Sequence, residues 1–191
     1  MANNSHDNRH DTHATTGNSG GWSSRRIAIT AVFVAIGMAL SFAELPIFPA
    51  APYLKYDPSG IACLVAGLAF GPVTGIIVSA LMWLPHAFTN PYGTIMAILV
   101  AEAHVIPAAL IYRRNQTRTG AIVGIVVGAV VAIGAAIVGN IIITPLYTPT
   151  TMADVVGLIV PVLLPFNALK AALNSVVTIL VYKSISQIVG Q

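Results

Sequence analysis

The chain has 191 residues, of which 56% are hydrophobic and only 8% are charged. Soluble domains carry about 25% charged residues, so this composition excludes an ordinary soluble domain and predicts an integral membrane protein. The net charge of +3 comes mostly from Arg and Lys beside apolar runs, with no basic stripe interleaved with aromatics, which fits membrane topology signals and argues against a nucleic-acid surface.

The first two dozen residues, MANNSHDNRHDTHATTGNSGGWSS, are polar and carry no apolar stripe. They predict a disordered tail over 1–24, followed by a single membrane domain over 25–191. His6, His10 and His13 lie in this tail, where nothing would orient them as ligands, so no metal site is expected. The polar lead is also too long for a signal peptide, and no small-residue cleavage pattern follows the first apolar run.

A bilayer core takes about 20 residues of apolar helix. Span one is expected over Ile27 to Ala43, after which the proline-rich ELPIFPAAPYLKYDPSG cannot form a regular helix. Span two starts near Ser59, with Asp57 placed to cap it and Pro58 in its first turn, and it breaks at Phe70-Gly71-Pro72. The lone cysteine, Cys63, lies in this span, which excludes an intrachain disulfide and a cysteine-based zinc site. Span three is Val73 to about Phe88, span four about Thr94 to Tyr112, and span five Ala121 to about Thr144. The last apolar stretch, Val155 to Ile185, exceeds one span and holds Pro161 and Pro165. A broken or re-entrant first part followed by a full sixth span is expected there.

The charges support an all-α, six-helix membrane bundle with both termini cytoplasmic. In that arrangement Arg25, Arg26, Arg113, Arg114, Arg118 and Lys183 fall inside, and Lys55 lies in an outer loop, as the positive-inside rule requires. One span more or fewer would split the cluster across both faces. Two ridges of small residues run at spacing four. Span one carries Ala31, Ala35, Ala39 and Ala43, which would face either the bundle or a second membrane protein. Span five carries Gly120, Gly124, Gly128, Ala132 and Ala136, ends at Asn140, and is expected to pack internally.

The last span carries Asn167, Lys170 and Asn174 at i, i+3 and i+7, on one face. A lysine at the centre of a membrane helix costs about 2.5–3.5 kcal/mol on insertion scales, so it must face a partner or a cavity. One reading pairs Lys170 with Glu102 of span four, and the asparagines then tie helices together. The other places Asn140, Asn167 and Lys170 around an outward-facing pocket under the loop that carries Tyr53, Tyr56 and Asp57. Glu102 and His104 are further candidates for its wall. Amides and a cation together suit a neutral or weakly acidic heteroaromatic ligand. The chain lacks a P-loop, a His-Glu-x-x-His motif and a Gly-x-Ser-x-Gly elbow, so neither an enzyme nor a cofactor is expected. Glu102 and His104, two positions apart on a helix, make a poor acid/base pair. Asn115-Gln116-Thr117 fits a glycosylation triplet by chance, on the expected cytoplasmic face.

Four stretches carry a resemblance: FPAAPYLKYDPSGIACLVAGLAFGPVTGI, VIPAALIYRRNQTRTGAIVGIVVG, GNIIITPLY and LLPFNALKAALNSVVT. From about Ile27 to Ser184 the chain resembles the riboflavin-type substrate-binding (S) components of energy-coupling factor (ECF) transporters. The resemblance implies a six-helix plasma-membrane protein that captures a vitamin from outside. It also implies a separate membrane scaffold subunit and two cytoplasmic ATPase subunits as partners. It further implies that Asn140, Asn167 and Lys170 hold a flavin ring and that Ala31 and Ala35 dock on the scaffold. Two regions depart from the pattern. Met82-Trp83-Leu84-Pro85-His86 stands where relatives show a Lys-Asn pair before a histidine, and Ala97 and Ala101 stand where an asparagine and a glycine are expected. Another heteroaromatic vitamin or precursor is therefore the alternative ligand, and a non-transport scaffold protein with a Lys170–Glu102 lock is the alternative class.

Overall fold

The computed structural model describes residues 22–49 and 51–189, with side chains described to residue 184. His6, His10 and His13 lie outside the described residues. The fold is almost wholly helical. Helix α1 (Ser24–Ser41) is capped by the Ser23 hydroxyl, which accepts from the Arg26 amide. A loop follows with a two-residue antiparallel ladder, β1 (Leu45–Pro46) against β2 (Lys55–Tyr56). The proline-rich stretch thus avoids helix as expected, but it folds back on itself as a short hairpin.

Helices α2 (Ser59–Phe70) and α3 (Pro72–Trp83) meet at Gly71, whose φ of +94° is a conformation that glycine adopts without a Cβ penalty. Pro72 then opens α3, where its missing N–H is no loss. Arg26 ties this break to the start of α1, donating to the Phe70 carbonyl at 3.0 Å and to Thr74 Oγ1 at 2.9 Å. Helix α3 runs on into a 3-10 turn, Leu84–Phe88. Helix α4 (Pro91–Arg114) is capped by Asn90, and α5 (Arg118–Ile143) by Thr117. The expected broken stretch is a short α6 (Met152–Gly157) with a Thr151–Asp154 capping box, a π turn (Ile159–Leu163), and then α7 (Leu164–Val189).

Among the described residues, four helical segments are long and apolar enough to cross a membrane: Ser24–Ser41, Pro91–Arg114, Arg118–Leu146 and Ile159–Ser184. Ser59–Phe70 and Pro72–Phe88 are shorter apolar helices. Large apolar side chains such as Val130, Leu180 and Phe88 point outward, as lipid-facing residues do. The inside is packed through small residues. Helices α4 and α5 share the most extensive interface, and the ridge of span five lies in it. A Cβ on Gly124 would stand 2.6 Å from the Ala108 carbonyl oxygen, and one on Gly128 would collide with the His104 carbonyl. That ridge therefore packs internally, as expected. The α1 ridge does the opposite: Ala31, Ala35, Ala39 and Ala43 are all exposed.

Two apolar clusters organise the interior. The larger joins Phe33 of α1 to α2, α3, α4, α5 and Tyr182 of α7. The smaller gathers Ala51 and Leu54 of the loop with Val155, Val162, Leu163 and Phe166. It anchors the loop on the irregular start of α7.

Candidate functional site

A cavity of about 290 Å³ lies between these clusters, bounded by the loop and by α2, α3, α4, α5 and α7. Its size is near the lower end of small-molecule sites, which run from about 300 to 1,000 Å³. The start of α7 brings Asn167 and Lys170 to its wall, α5 brings Asn140, and the loop brings Tyr53. These four candidates from widely separated parts of the chain thus meet at one cavity. Glu102 does not line it, whereas His104 does.

The lysine is partnered, but not as the structural reading of the sequence has it. Lys170 Nζ lies 2.6 Å from Asp57 Oδ2, and Glu102 is not its partner. Asp57 is only 2% exposed, against 21% for the lysine side chain. Its other oxygen, Oδ1, accepts from the Ser59 amide at 3.1 Å and from the Ser59 hydroxyl. Asp57 therefore holds the first residue of α2 from outside the helix, where Pro58 rather than Asp57 is the N-cap and no side chain caps the turn, and it also fixes the ammonium group of α7. Removing the cation from such a buried carboxylate would be strongly destabilising. The result is a cation pinned at the cavity wall with part of its surface open.

Around it stand two amides. Asn140 donates to the Ala136 carbonyl at 2.8 Å and accepts from Thr144 Oγ1 at 2.9 Å. Asn167 donates to the Leu163 carbonyl at 2.8 Å. That carbonyl lies at the end of the π turn, so the irregular winding sets where Asn167 points. Each amide is oriented by its own helix and keeps further capacity for a ligand.

The mouth is aromatic. The Tyr92 and Tyr147 rings stack at 5.5 Å, and Tyr53 meets Tyr147 edge-on at 6.4 Å. His86 is sandwiched between Phe42 at 4.4 Å and Trp83 at 4.7 Å. Burial and the neighbouring Tyr147 push the Tyr53 phenol above its ordinary pKa, so it keeps its proton at neutral pH. Lys55 and Glu44, paired at 2.5 Å, hold the two sides of the hairpin together at the same mouth. Tyr53 OH, His86 Nδ1, His104 Nε2 and Asn174 Oδ1 are buried polar atoms with no protein partner, and all four belong to residues that line the cavity. Buried polar atoms are nearly always satisfied in proteins. At Tyr53, His86, His104 and Asn174 the cavity wall carries polar side chains whose bonding the protein leaves incomplete.

Sequence reasoning misses several wall residues. Asn90 comes from the α3–α4 turn and Glu44 from the loop, where no periodicity signals a facing direction, whereas Trp83 and His86 belong to the stretch whose departure from the family pattern marks it in the sequence. Asn174 is readable as part of the polar face of the last span, and its place at the cavity follows from that spacing.

Residues 25–182 match the family model for the ECF transporter, substrate-specific component. The riboflavin transporter RibU of Staphylococcus aureus (strain TCH60) is 29% identical over 171 residues, covering 85% of this chain and 90% of that protein. The riboflavin transporter FmnP of Bacillus subtilis (strain 168) is 24% identical over 106 residues, covering 52% of this chain and 55% of that one. Among solved structures, the S component of a bacterial ECF transporter superposes with a TM-score of 0.75 at 27% identity, covering 87% of this chain and 98% of that chain. ThiT from Listeria monocytogenes superposes with a TM-score of 0.63 at 16% identity, covering 86% of this chain and 96% of that one, a likeness of fold alone. With a family match over most of its length, apolar helices of spanning length and a polar cavity enclosed by them, this chain is a multi-pass membrane protein and belongs to the substrate-specific components of ECF transporters.

Proposed function

We propose that this chain captures riboflavin, or a closely related flavin, from outside the cell for uptake by an ECF transporter. The observation that carries the ligand class is the convergence of Asn140, Asn167 and the Asp57-held Lys170 on one cavity with unpartnered polar atoms. The two riboflavin transporters among its relatives support the flavin itself. Asn140 and Asn167 present amide donors and acceptors to the polar edge of the ring, and Lys170 donates to a ring carbonyl. The tyrosines of the mouth cover it, with Tyr53 as donor. Glu102 has no role in this site.

The membrane domain, residues 25–191, crosses six times with both termini cytoplasmic. Here α2 and α3 with its 3-10 extension make the second and third crossings, and the irregular entry to α7 belongs to the sixth. The charge asymmetry of the loops supports this count. ATP is hydrolysed by two cytoplasmic partner subunits, and a membrane scaffold subunit docks on α1 at Ala31 and Ala35. The exposure of that ridge supports the docking face. A thermal-shift panel of riboflavin, thiamine, biotin and related vitamins tests the ligand. Stabilisation by riboflavin alone is the expected result, and stabilisation by another vitamin instead would reassign the ligand.

A further inference from the structure

The two ends of the bundle differ in charge. Arg25 and Arg26 stand where α1 begins, Arg113 and Arg114 where α4 ends, Arg118 where α5 begins, and Lys183 late in α7. This end lies away from the first cavity, which is lined by Ser59 at the start of α2 and Asn90 at the start of α4. Among the described residues the acids lie elsewhere. Glu44 and Asp57 line the first cavity, Asp154 belongs to α6, and Glu102 sits about three turns before Arg113 along α4.

A second cavity, of about 350 Å³, lies at the cationic end, between the start of α1, the α2–α3 corner and the end of α4. Its wall carries Arg26, Tyr112, Arg113 and Gln116 and no carboxylate, while Phe70 and Val73 give it an apolar side. Arg26 is held in place. Its Nη2 donates to the Phe70 carbonyl and to Thr74 Oγ1, and its guanidinium carbon lies 4.2 Å from the centre of the Trp22 ring. Those bonds use two of the five N–H donors of a guanidinium, and both acceptors are neutral, so the charge is fixed without being balanced. Arg113 is exposed. So are Val73 in the wall, Ile27 next to Arg26 and Leu110 next to Ala109, as on a surface that meets acyl chains.

We infer that this second cavity binds an anionic phospholipid, with the headgroup phosphate between Arg26 and Arg113 and the acyl chains along the exposed apolar flank. Guanidinium groups match phosphate oxygens in charge and geometry, and basic pockets between membrane helices take anionic headgroups. The apolar flank favours a lipid over soluble phosphate, which would leave that side of the cavity unmet. The site does not depend on which vitamin the first cavity takes.

The test is thermal unfolding and native mass spectrometry of the purified full chain in detergent, with dioleoylphosphatidylglycerol, dioleoylphosphatidylcholine or inorganic phosphate added. Phosphatidylglycerol should raise Tm and stay bound at one per chain, and the other two should do neither. Arg113→Gln should weaken its retention about three- to tenfold, the effect of one cation beside an anionic headgroup. Gln116→Glu, which sets a negative charge in the wall, should weaken it as well. Arg114→Gln removes the same charge one residue along, outside the cavity, and should leave retention within about twofold of wild type. Equal losses at Arg113 and Arg114 would mean diffuse attraction to the surface and overturn the site. Equal binding of phosphatidylcholine, or a matching shift from inorganic phosphate, would overturn the anionic lipid as its ligand. If Arg113→Gln keeps the lipid but loses co-purifying scaffold or ATPase subunits, the cavity belongs to an acidic partner surface and the lipid site is overturned.

Discussion

At the scale of single residues, the contact between Lys170 and Asp57 has two separable consequences. It balances a charge inside an apolar fold, and it fixes a donor at the cavity wall. Lys170→Ala should weaken riboflavin by about 1.5–3 kcal/mol, the range for a hydrogen bond from a charged group. It should also lower the stability of the empty protein, because Asp57 is left buried without its cation. Breaking a buried pair from one side costs about 3–5 kcal/mol, and the partial exposure of Lys170 places this case at or below the lower end of that range. The double variant Asp57→Asn/Lys170→Gln should regain much of the stability without regaining the affinity. Thermal unfolding and ligand titration on the same samples separate the two, and recovery of both in the double variant would remove the ligand role. Half of this contact is legible in the sequence. The spacing of Asn167, Lys170 and Asn174 shows a polar face that needs a partner, and the position of Asp57 shows an acid at the start of α2. Joining them requires knowing that the loop dips to the depth of α7, which no local pattern encodes. Glu102 is the visible acid within an apolar run, which is why one of the two sequence readings offers it as the partner that Asp57 proves to be.

Among the elements, the close pairing of α4 with α5 depends on glycines that admit the facing backbone. Gly124→Leu should cost about 1–3 kcal/mol through overpacking against Ala108. Gly134, with nothing within 4 Å of a Cβ, lies on the same helix facing outward, and Gly134→Ala should leave stability unchanged or raise it slightly. Differential scanning of the purified variants in detergent measures both, and equal effects at the two positions would contradict the packing. The long apolar runs and their caps make α1, α4, α5 and α7 readable from sequence. The break at Gly71-Pro72 is equally plain, since only glycine suits the φ there. The hairpin of Leu45–Pro46 with Lys55–Tyr56 is not readable. Two residues a side give no alternation to detect, and its register depends on the Glu44–Lys55 pair and on packing over Phe166. The π turn ahead of α7 shows only as two prolines in a run too long for one span, so a break is expected there but not its form.

For the whole molecule, the outward ridge of α1 is a face that close helix packing would use. Ala35→Leu should abolish co-purification with the scaffold and ATPase subunits and leave riboflavin affinity within about twofold of wild type, since α1 contributes nothing to the cavity wall. Retained co-purification would move the docking face elsewhere. The six-span arrangement predicts opposite accessibility for the α4–α5 turn and the α5–α6 turn. In a background with Cys63 replaced by alanine, a cysteine at Asn115 should react with impermeant maleimide only after the cell is opened. One at Pro149, which is exposed in the α5–α6 turn, should react on intact cells. Labelling of both from the same side would contradict the topology.

The most direct test of flavin capture is the identity of the small molecule that the protein carries from the cell. Protein purified from cells grown in riboflavin-containing medium should be yellow, and mass spectrometry of the acid-released ligand should identify riboflavin at close to one per chain. A colourless preparation that also fails to quench added riboflavin would contradict the assignment.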